Sequence, residues 1–281
     1  MDERLGPSSP WEEATGTVNG QNEGGLFLFG FQDGLRWQRI RDGVVLPFSC
    51  DTQNQLLYDA RIDEYGVYVR DWDVGAGRRF VGRATTPSLD RLPFGYEEIS
   101  SQSKGSRGLY GRLLPENTMP VFQADGQDRP QTDIYNPCIN IYPWADDVYL
   151  AFPSMYRHYD CQNRHGRDHR EKYRNDGVND AQLAVSRDGI HFHLYRTPYV
   201  SLGLPEEERI GGTLYMGVGM IKRGNHIYQY YLETPLTHGV LGEDAKSPDD
   251  LGGAWRNFQF RMVAHRLDGF VSAEAGPGSG S

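Results

Sequence analysis

LAVSRDGIHF, residues 183–192, decides how the rest of this chain is read. Leu183 to Val185 is a short apolar run, Asp188-Gly189 is a turn dipeptide, and Phe192 returns an aromatic ring to the apolar side. The same phrase recurs as LFGFQDGLRW at 28–37 and MVAHRLDGFV at 262–271, and in degenerate form as VGRATTPSLDRL at 81–92. The turn aspartates Asp33, Asp90, Asp188 and Asp268 stand 57, 98 and 80 residues apart. That spacing brackets a four-stranded propeller blade with connections of variable length.

A second recurrence lies upstream of three of these turns. QNQLLYDARIDEYGVYVRDW (53–72), DIYNPCINIYPWADDVYLAFPSMY (133–156) and TLYMGVGMIKRGNHIYQYYLE (213–233) each run as an apolar strand, a polar turn and a tyrosine-rich return strand. Three complete blade-like units follow the closing half of a fourth, from Gly25 to about Ile40. The expected fold class is therefore all-β, a β-propeller with about three and a half blades visible. Residues 1–24 read as an irregular N-terminal segment, 25–272 as partial propeller, and 273–281 as a Gly/Ser-rich tail. A propeller closes its ring so that no sheet edge stays bare, so three and a half blades imply an incomplete chain. The competing architecture is a β-sandwich of two hairpin-rich sheets, because Asp-Gly turns occur in any antiparallel protein.

Composition agrees with a packed β protein. The 281 residues include 34 Gly and 16 Pro, which break the chain into short segments, and 17 Tyr, 12 Phe and 5 Trp, too many aromatics for a disordered chain. A formal charge of -9 without a Lys/Arg stripe argues against a nucleic-acid partner. The longest apolar stretches, such as Leu26 to Phe29, fall far short of the roughly 20 residues of a spanning helix, so no membrane insertion is expected. Cys50, Cys138 and Cys161 suggest neither a disulfide framework nor a zinc cage. The opening MDERLGPSS lacks the basic start and apolar core of a secretory signal, which leaves the compartment open. Nucleotide-loop, Rossmann, GxSxG and HExxH signatures are absent from the sequence.

The SxDGxxF/W turns, YDARIDEYGVYVR after DTQN, TDIYNP with YLAFPSMY, and NDGVNDAQLAVSRDG together resemble the five-bladed propellers of the arabinanase, levansucrase and invertase superfamily. More narrowly, they resemble bacterial proteins grouped as glycoside hydrolase family 32-like, with family 43 as the neighbouring pattern. The resemblance spans roughly Gly25 to Ser272; the WMNDPNG, RDP and EC motifs of family 32 are not spelled out, and DAR at 59–61 is an imperfect echo of RDP. It implies a carbohydrate substrate and three carboxylates at the starts of innermost strands of successive blades. Carried onto this chain those positions hold Asp51, Asp133 and Glu208, as nucleophile or base, stabiliser, and acid. It implies no redox cofactor.

Each candidate has a plainer reading beside it. Asp51 is equally readable as an Asx turn before Asn54. Asp133, between Thr132 and the Tyr135-Asn136-Pro137 run, reads better as a cavity residue. Glu208 stands in the acidic run PEEERIGG, which reads as a solvated loop, and Glu233 is the competing acid on a better-buried strand. Asn54, Arg61, Tyr135, Asn136 and His158 are the expected substrate contacts, with Tyr135, and Trp72 after it, as stacking platforms for a sugar face. The irregular stretch 156–180 holds HGRDH, two histidines four apart, on a segment with no apolar face to support a helix, so no metal site is assigned there. A structural calcium held by Asp176, Asn179 and Asp180 is the one cofactor the sequence leaves open.

Overall fold

The computed structural model describes residues 16–18, 21–23, 26–41, 45–46, 52–73, 78–100, 110–113, 118–158, 177–202, 212–234, 237–238 and 258–270. Every structural statement below refers to these. Asp51, Asp176 and Glu208, with HGRDH, Cys50 and Cys161, lie outside them. The described residues are all-β, with one short 3-10 turn at Leu89–Arg91 and no α-helix. No helix is long and apolar enough to cross a membrane.

The chain divides into two compact units, one of residues 1–157 and 182–197, the other of 158–181 and 198–281. In the first, β1 (Gly16–Val18) pairs with β2 (Gln21–Glu23), and β3 (Phe29–Gly30) with β4 (Gln38–Arg39) across the Asp33 turn. A four-stranded antiparallel meander comes next: β5 (Gln55–Asp59), β6 (Glu64–Asp73) and β7 (Arg78–Thr86) run in order. A hairpin of β8 (Tyr96–Ser100) and β9 (Tyr110–Leu113) then intervenes before β10 (Met119–Phe122) closes on β7. The second meander is β11 (Thr132–Ile134) with β12 (Ile139–Ile141), then β13 (Tyr149–Ala151) with β14 (Ser154–His158), then β15 (Gly177–Ser186) and β16 (His193–Val200). Here β11 pairs with β14, β12 with β13, and β13 with β15.

Strand periodicity explains how the first meander packs on both faces. Val67, Val69 and Ala84 point one way and are buried with Leu26, Leu28, Val45, Leu46, Leu92 and Phe94. Tyr68 and Val81 point the other way and share a core with Phe122, Ile134, Ile139, Tyr149, Met155 and Ala184 of the next meander and its surroundings. The first strands of the two meanders are stitched together by a side chain. Gln55, 5% exposed, donates from Nε2 to the Ile139 carbonyl (2.5 Å) and accepts the Ile139 N–H at Oε1 (2.6 Å), so its amide acts as one more rung of a ladder.

The turns follow from local chemistry. Asp33 Oδ1 accepts the Leu35 and Arg36 N–H groups, and Asp188 Oδ1 accepts those of Ile190 and His191, each at 2.8 Å. Both turns place a glycine at positive φ, +75° at Gly34 and +72° at Gly189, which glycine adopts without steric cost. The expected turn at Asp90 is different. Arg91 stands after it instead of glycine, and Ser88 caps a 3-10 turn by accepting the Asp90 N–H.

In the second unit, β17 (Thr213–Met216) lies parallel to the first residues of β15 and antiparallel to β19 (His226–Thr234). β19 also pairs with β18 (Ile221–Arg223) and β20 (Gln259–Arg266). β20 alternates strictly between half-buried and exposed positions, leaving Phe260 (86% exposed) and Met262 on its outer face.

Candidate functional site

The strand starts of the two meanders in the first unit gather most of the sequence-derived candidates. Asp133 is the second residue of β11 and lies opposite Tyr156. It is 4% exposed, and Arg79 Nη1 sits 2.6 Å from its Oδ2. A carboxylate is costly to bury alone, and Arg79, itself 14% exposed, supplies the countercharge that makes burial tolerable. β7 brings Arg79 there because it pairs with Trp72 at the far end of β6, four residues beyond the Tyr68 that opposes Gln55 at the start of β5.

A bulge then shapes the site. Tyr135 N donates to the Ser154 carbonyl (2.9 Å) and Ser154 N donates to the Asn136 carbonyl (3.0 Å), so two residues oppose one. Regular alternation would send Tyr135 and Asn136 to opposite faces. With the bulge, both reach the first meander. The Tyr135 ring lies 5.4 Å from the guanidinium of Arg70 and 5.7 Å from that of Arg79, and edge-on to Tyr156 at 5.7 Å. Asn136 Oδ1 accepts from the Thr52 hydroxyl and from Gln53 N at 3.3 Å, while Thr52 Oγ1 also lies 3.1 Å from the Tyr135 carbonyl. Asn54 folds back, Nδ2 donating to the Thr52 carbonyl at 2.8 Å.

Asp133, Tyr135, Asn136 and Asn54 therefore belong to one neighbourhood, with Arg79, Arg70, Tyr156 and Thr52 as members that sequence reading missed. D-x-x-N is spelled at 51–54 and 133–136, but also at 160–163 and 176–179, so that pattern alone did not single the pair out. Arg79 and Arg70 carried no such signal, because only strand register shows their level. Asp71, another buried carboxylate on β6, is next to Arg70 and so points to the opposite face, where its Oδ2 would lie 2.9 Å from a Cβ at Gly82.

Arg61 is placed at the other end of β5. Its Nε and Nη2 fork both oxygens of Asp59 at 3.0 and 2.8 Å, its Nη1 donates to the Arg187 carbonyl at 2.6 Å, and its guanidinium lies 4.8 Å from the Tyr149 ring. That fork, with the Tyr149 hydroxyl and the Arg61 N–H also donating, outweighs burial and holds the Asp59 carboxyl down to about 2. Burial and the hydrogen bond to Asp59 push the Tyr149 phenol up. Arg61 thus ties the turn ends of the two meanders together. His158 is the last residue of β14, one position beyond the Arg157 that pairs with Thr132.

Cys138, fully buried at φ +40°, has its thiol pushed up to about 12 by burial, so it is no nucleophile at neutral pH. Among the described residues no three His, Cys, Asp or Glu side chains converge as metal ligands. Asn179 and Asp180 are consecutive on β15, and Asp176, the third residue of the expected calcium set, lies outside the described residues. In the second unit Glu233 is 1% exposed, with Arg261 Nε 2.7 Å from its Oε2. The Arg261 N–H does not point along that line, so the contact is an ion pair without a formed hydrogen bond.

No family model and no curated protein matches the chain. Solved structures similar to it include a complex of BT0996 named for RGII, at 12% identity and a TM-score of 0.43, covering 87% of this chain and 56% of that one. A second, described as a glycoside hydrolase, has 10% identity, a TM-score of 0.41 and the same coverage. A third is the N-acetylgalactosamine deacetylase of F. plautii in complex with blood group B trisaccharide, at 14% identity and a TM-score of 0.40, covering 86% and 60%. The chain thus spans a little over half the length of these proteins, and its chemistry is read from its own residues.

Proposed function

We propose that the chain is a carbohydrate-active protein whose glycan site is the strand-start end of the first unit, and that it acts as a glycoside hydrolase on furanosides or related glycans. The observation that carries this reading is Asp133: a buried carboxylate beside an arginine, at the start of a first strand, with a break in strand alternation immediately after it. Buried charge at such a position stabilises the fold no better than apolar packing would, which favours a functional reason for it. Tyr135, Asn136 and Asn54 add an aromatic ring and two amides, the groups that meet a sugar's C–H face and hydroxyls.

Hydrolysis needs two carboxyl groups on opposite sides of the glycosidic bond, about 5 Å apart for retention and about 6.5 to 9.5 Å for inversion. Asp133 is taken as the transition-state stabiliser and Asp51 as nucleophile or base; Glu208, which the resemblance offers as acid, belongs to the second unit and is not assigned to this site. Of the other expected hydroxyl contacts, Arg61 stands at the opposite end of β5 with its donors serving Asp59 and Arg187, and His158 falls in the second unit. A non-catalytic glycan-binding propeller is the second reading: the same ring and amides would hold a sugar without turning it over.

The test is turnover of 4-nitrophenyl furanosides and of arabinan and fructan oligosaccharides by the full chain and by Asp133→Asn. The hydrolase reading expects turnover that falls by two orders of magnitude or more in the variant, the scale on which charge stabilisation in an active site acts. Binding without turnover in the unaltered chain would move the assignment to the glycan-binding reading. Turnover unaffected by Asp133→Asn would remove Asp133 from the site.

A further inference from the structure

The second unit gathers a separate group of polar side chains at one end of β17. Asn179 on β15 lies opposite Thr213, and Thr213 lies opposite Thr234 at the end of β19. All three are fully buried. His238 is fixed nearby, its backbone N–H donating to the Gly177 carbonyl at 3.0 Å. Asn179 Nδ2 donates to the Tyr215 hydroxyl at 3.4 Å, and that hydroxyl lies 3.2 Å from His238 Nδ1. Asn179 Oδ1, though buried, has no hydrogen-bond donor among the described residues. Leaving a buried amide oxygen unmatched costs stability, so Asn179 Oδ1 stands as an open acceptor at this end of β17.

We infer that Asn179, Tyr215 and His238 form a recognition site for a neutral, hydroxyl-rich ligand, a saccharide or similar polyol, within the second unit. The trio is an amide, a phenol and an imidazole, with the Thr213 and Thr234 hydroxyls on the same face by register. None needs an opposite charge to pair with. The carboxylates next to these positions are turned away: Asp180 is adjacent to Asn179 and so on the other face, and Glu233 lies opposite Leu214 and beside Arg261. A hydroxyl group is the small ligand element that donates to Asn179 Oδ1 and also accepts. The chain of bonds has a direction. With Asn179 Nδ2 donating to the phenol oxygen, the phenol proton is directed to His238 Nδ1, which places the imidazole proton on Nε2. The choice of a saccharide rests on the carbohydrate reading proposed above; the polar site itself does not.

Long-range proton-nitrogen NMR of the histidine rings of the full chain tests this, with the His238 signal assigned by its loss in His238→Gln. The expected result is the Nε2–H tautomer of His238, a signal that moves on titration with L-arabinose or D-galactose, and an affinity weakened roughly fivefold to tenfold in Tyr215→Phe, which keeps the ring and removes one hydrogen-bonding group. A His238 signal that no neutral sugar moves, or a response unchanged in Tyr215→Phe, overturns the inference. The two readings fail separately. If Asp133→Asn abolishes turnover while His238 stays unmoved, the second-unit site falls and the hydrolase stands. If His238 responds to sugar and no glycoside is turned over, the hydrolase falls and the second-unit site stands.

Discussion

Replacing Gln55 by glutamate should make the joint between the two meanders pH-sensitive. In the native joint, Ile139 N–H meets Gln55 Oε1 at 2.6 Å and Ile139 carbonyl meets Nε2 at 2.5 Å, both buried. Glutamate keeps the first bond and puts an oxygen where Nε2 stood, so a carboxylate would face the Ile139 carbonyl with no proton between them. Losing a buried bond and leaving its acceptor unmatched costs about 1–3 kcal/mol, and burying the charge adds to it, so about 3 kcal/mol at pH 7 is expected. Protonation restores the donor and therefore raises the folded-state pKa of the introduced carboxyl above its unfolded value of about 4.3. Stability of the variant should accordingly lie close to the native protein below about pH 4.3 and fall by about 1.4 kcal/mol per pH unit above it, until a plateau about two units higher. Gln55→Leu removes both bonds and should be destabilised at every pH alike. Urea unfolding monitored by tyrosine and tryptophan fluorescence from pH 4 to 8 reads all three proteins. A Gln55→Glu penalty that is flat with pH, or that shrinks as pH rises, would show that the side-chain ladder rung is not what joins β5 to β12.

Other outcomes come from the opposite end of the same joint. Asp59, held down to about 2 chiefly by the Arg61 fork, stabilises the fold at every pH above its unfolded value near 3.8, and that contribution is lost as pH falls through about 2. Asp59→Asn should therefore cost roughly 2 kcal/mol at neutral pH, and the gap to the native protein should close between about pH 4 and pH 2, read as urea midpoints. Gly189→Ala places a Cβ 2.7 Å from both the Tyr149 ring and the Tyr68 hydroxyl, at a φ of +72°; strain and overpacking together should cost about 2–4 kcal/mol, measurable as a lowered Tm. Arg79→Met, which removes the countercharge and keeps the side-chain length, should cost about 3–5 kcal/mol, and adding Asp133→Leu to it should recover much of that loss in a double-mutant cycle.

The turns and the meanders were legible because their causes are local. Asp33 and Asp188 use the same two backbone bonds, and each precedes the glycine its turn needs. Asp90 lacks that glycine and went to a 3-10 turn instead, a difference that reading its neighbour Arg91 would have exposed. The packing of the aromatic residue after each turn was not legible. Phe192 packs 4.5 Å from Phe122 in the core, while Trp37, four residues after its own turn aspartate just as Phe192 is, stays 59% exposed beside Phe31. The same local phrase has two fates because packing partners come from elsewhere in the chain.

The candidate site divides along the same line. Arg61 and Asp59 are two residues apart, so their pairing was available from local turn chemistry, and it spends the guanidinium that the DAR resemblance offered to a substrate. Arg79 and Asp133 are 54 residues apart, and nothing in RRFVG marks its second arginine as the partner of a carboxylate at the start of the next meander. Their meeting depends on two registers, Arg79 with Trp72 and Asp133 with Tyr156, and the bulge that follows lets Tyr135 and Asn136 both face the first meander. A one-residue slip in either register would turn the charged side chain to the other face and leave its partner buried alone. The ion pair therefore pins the register of both strands, and with it the level at which Tyr135 and Asn136 meet the first meander.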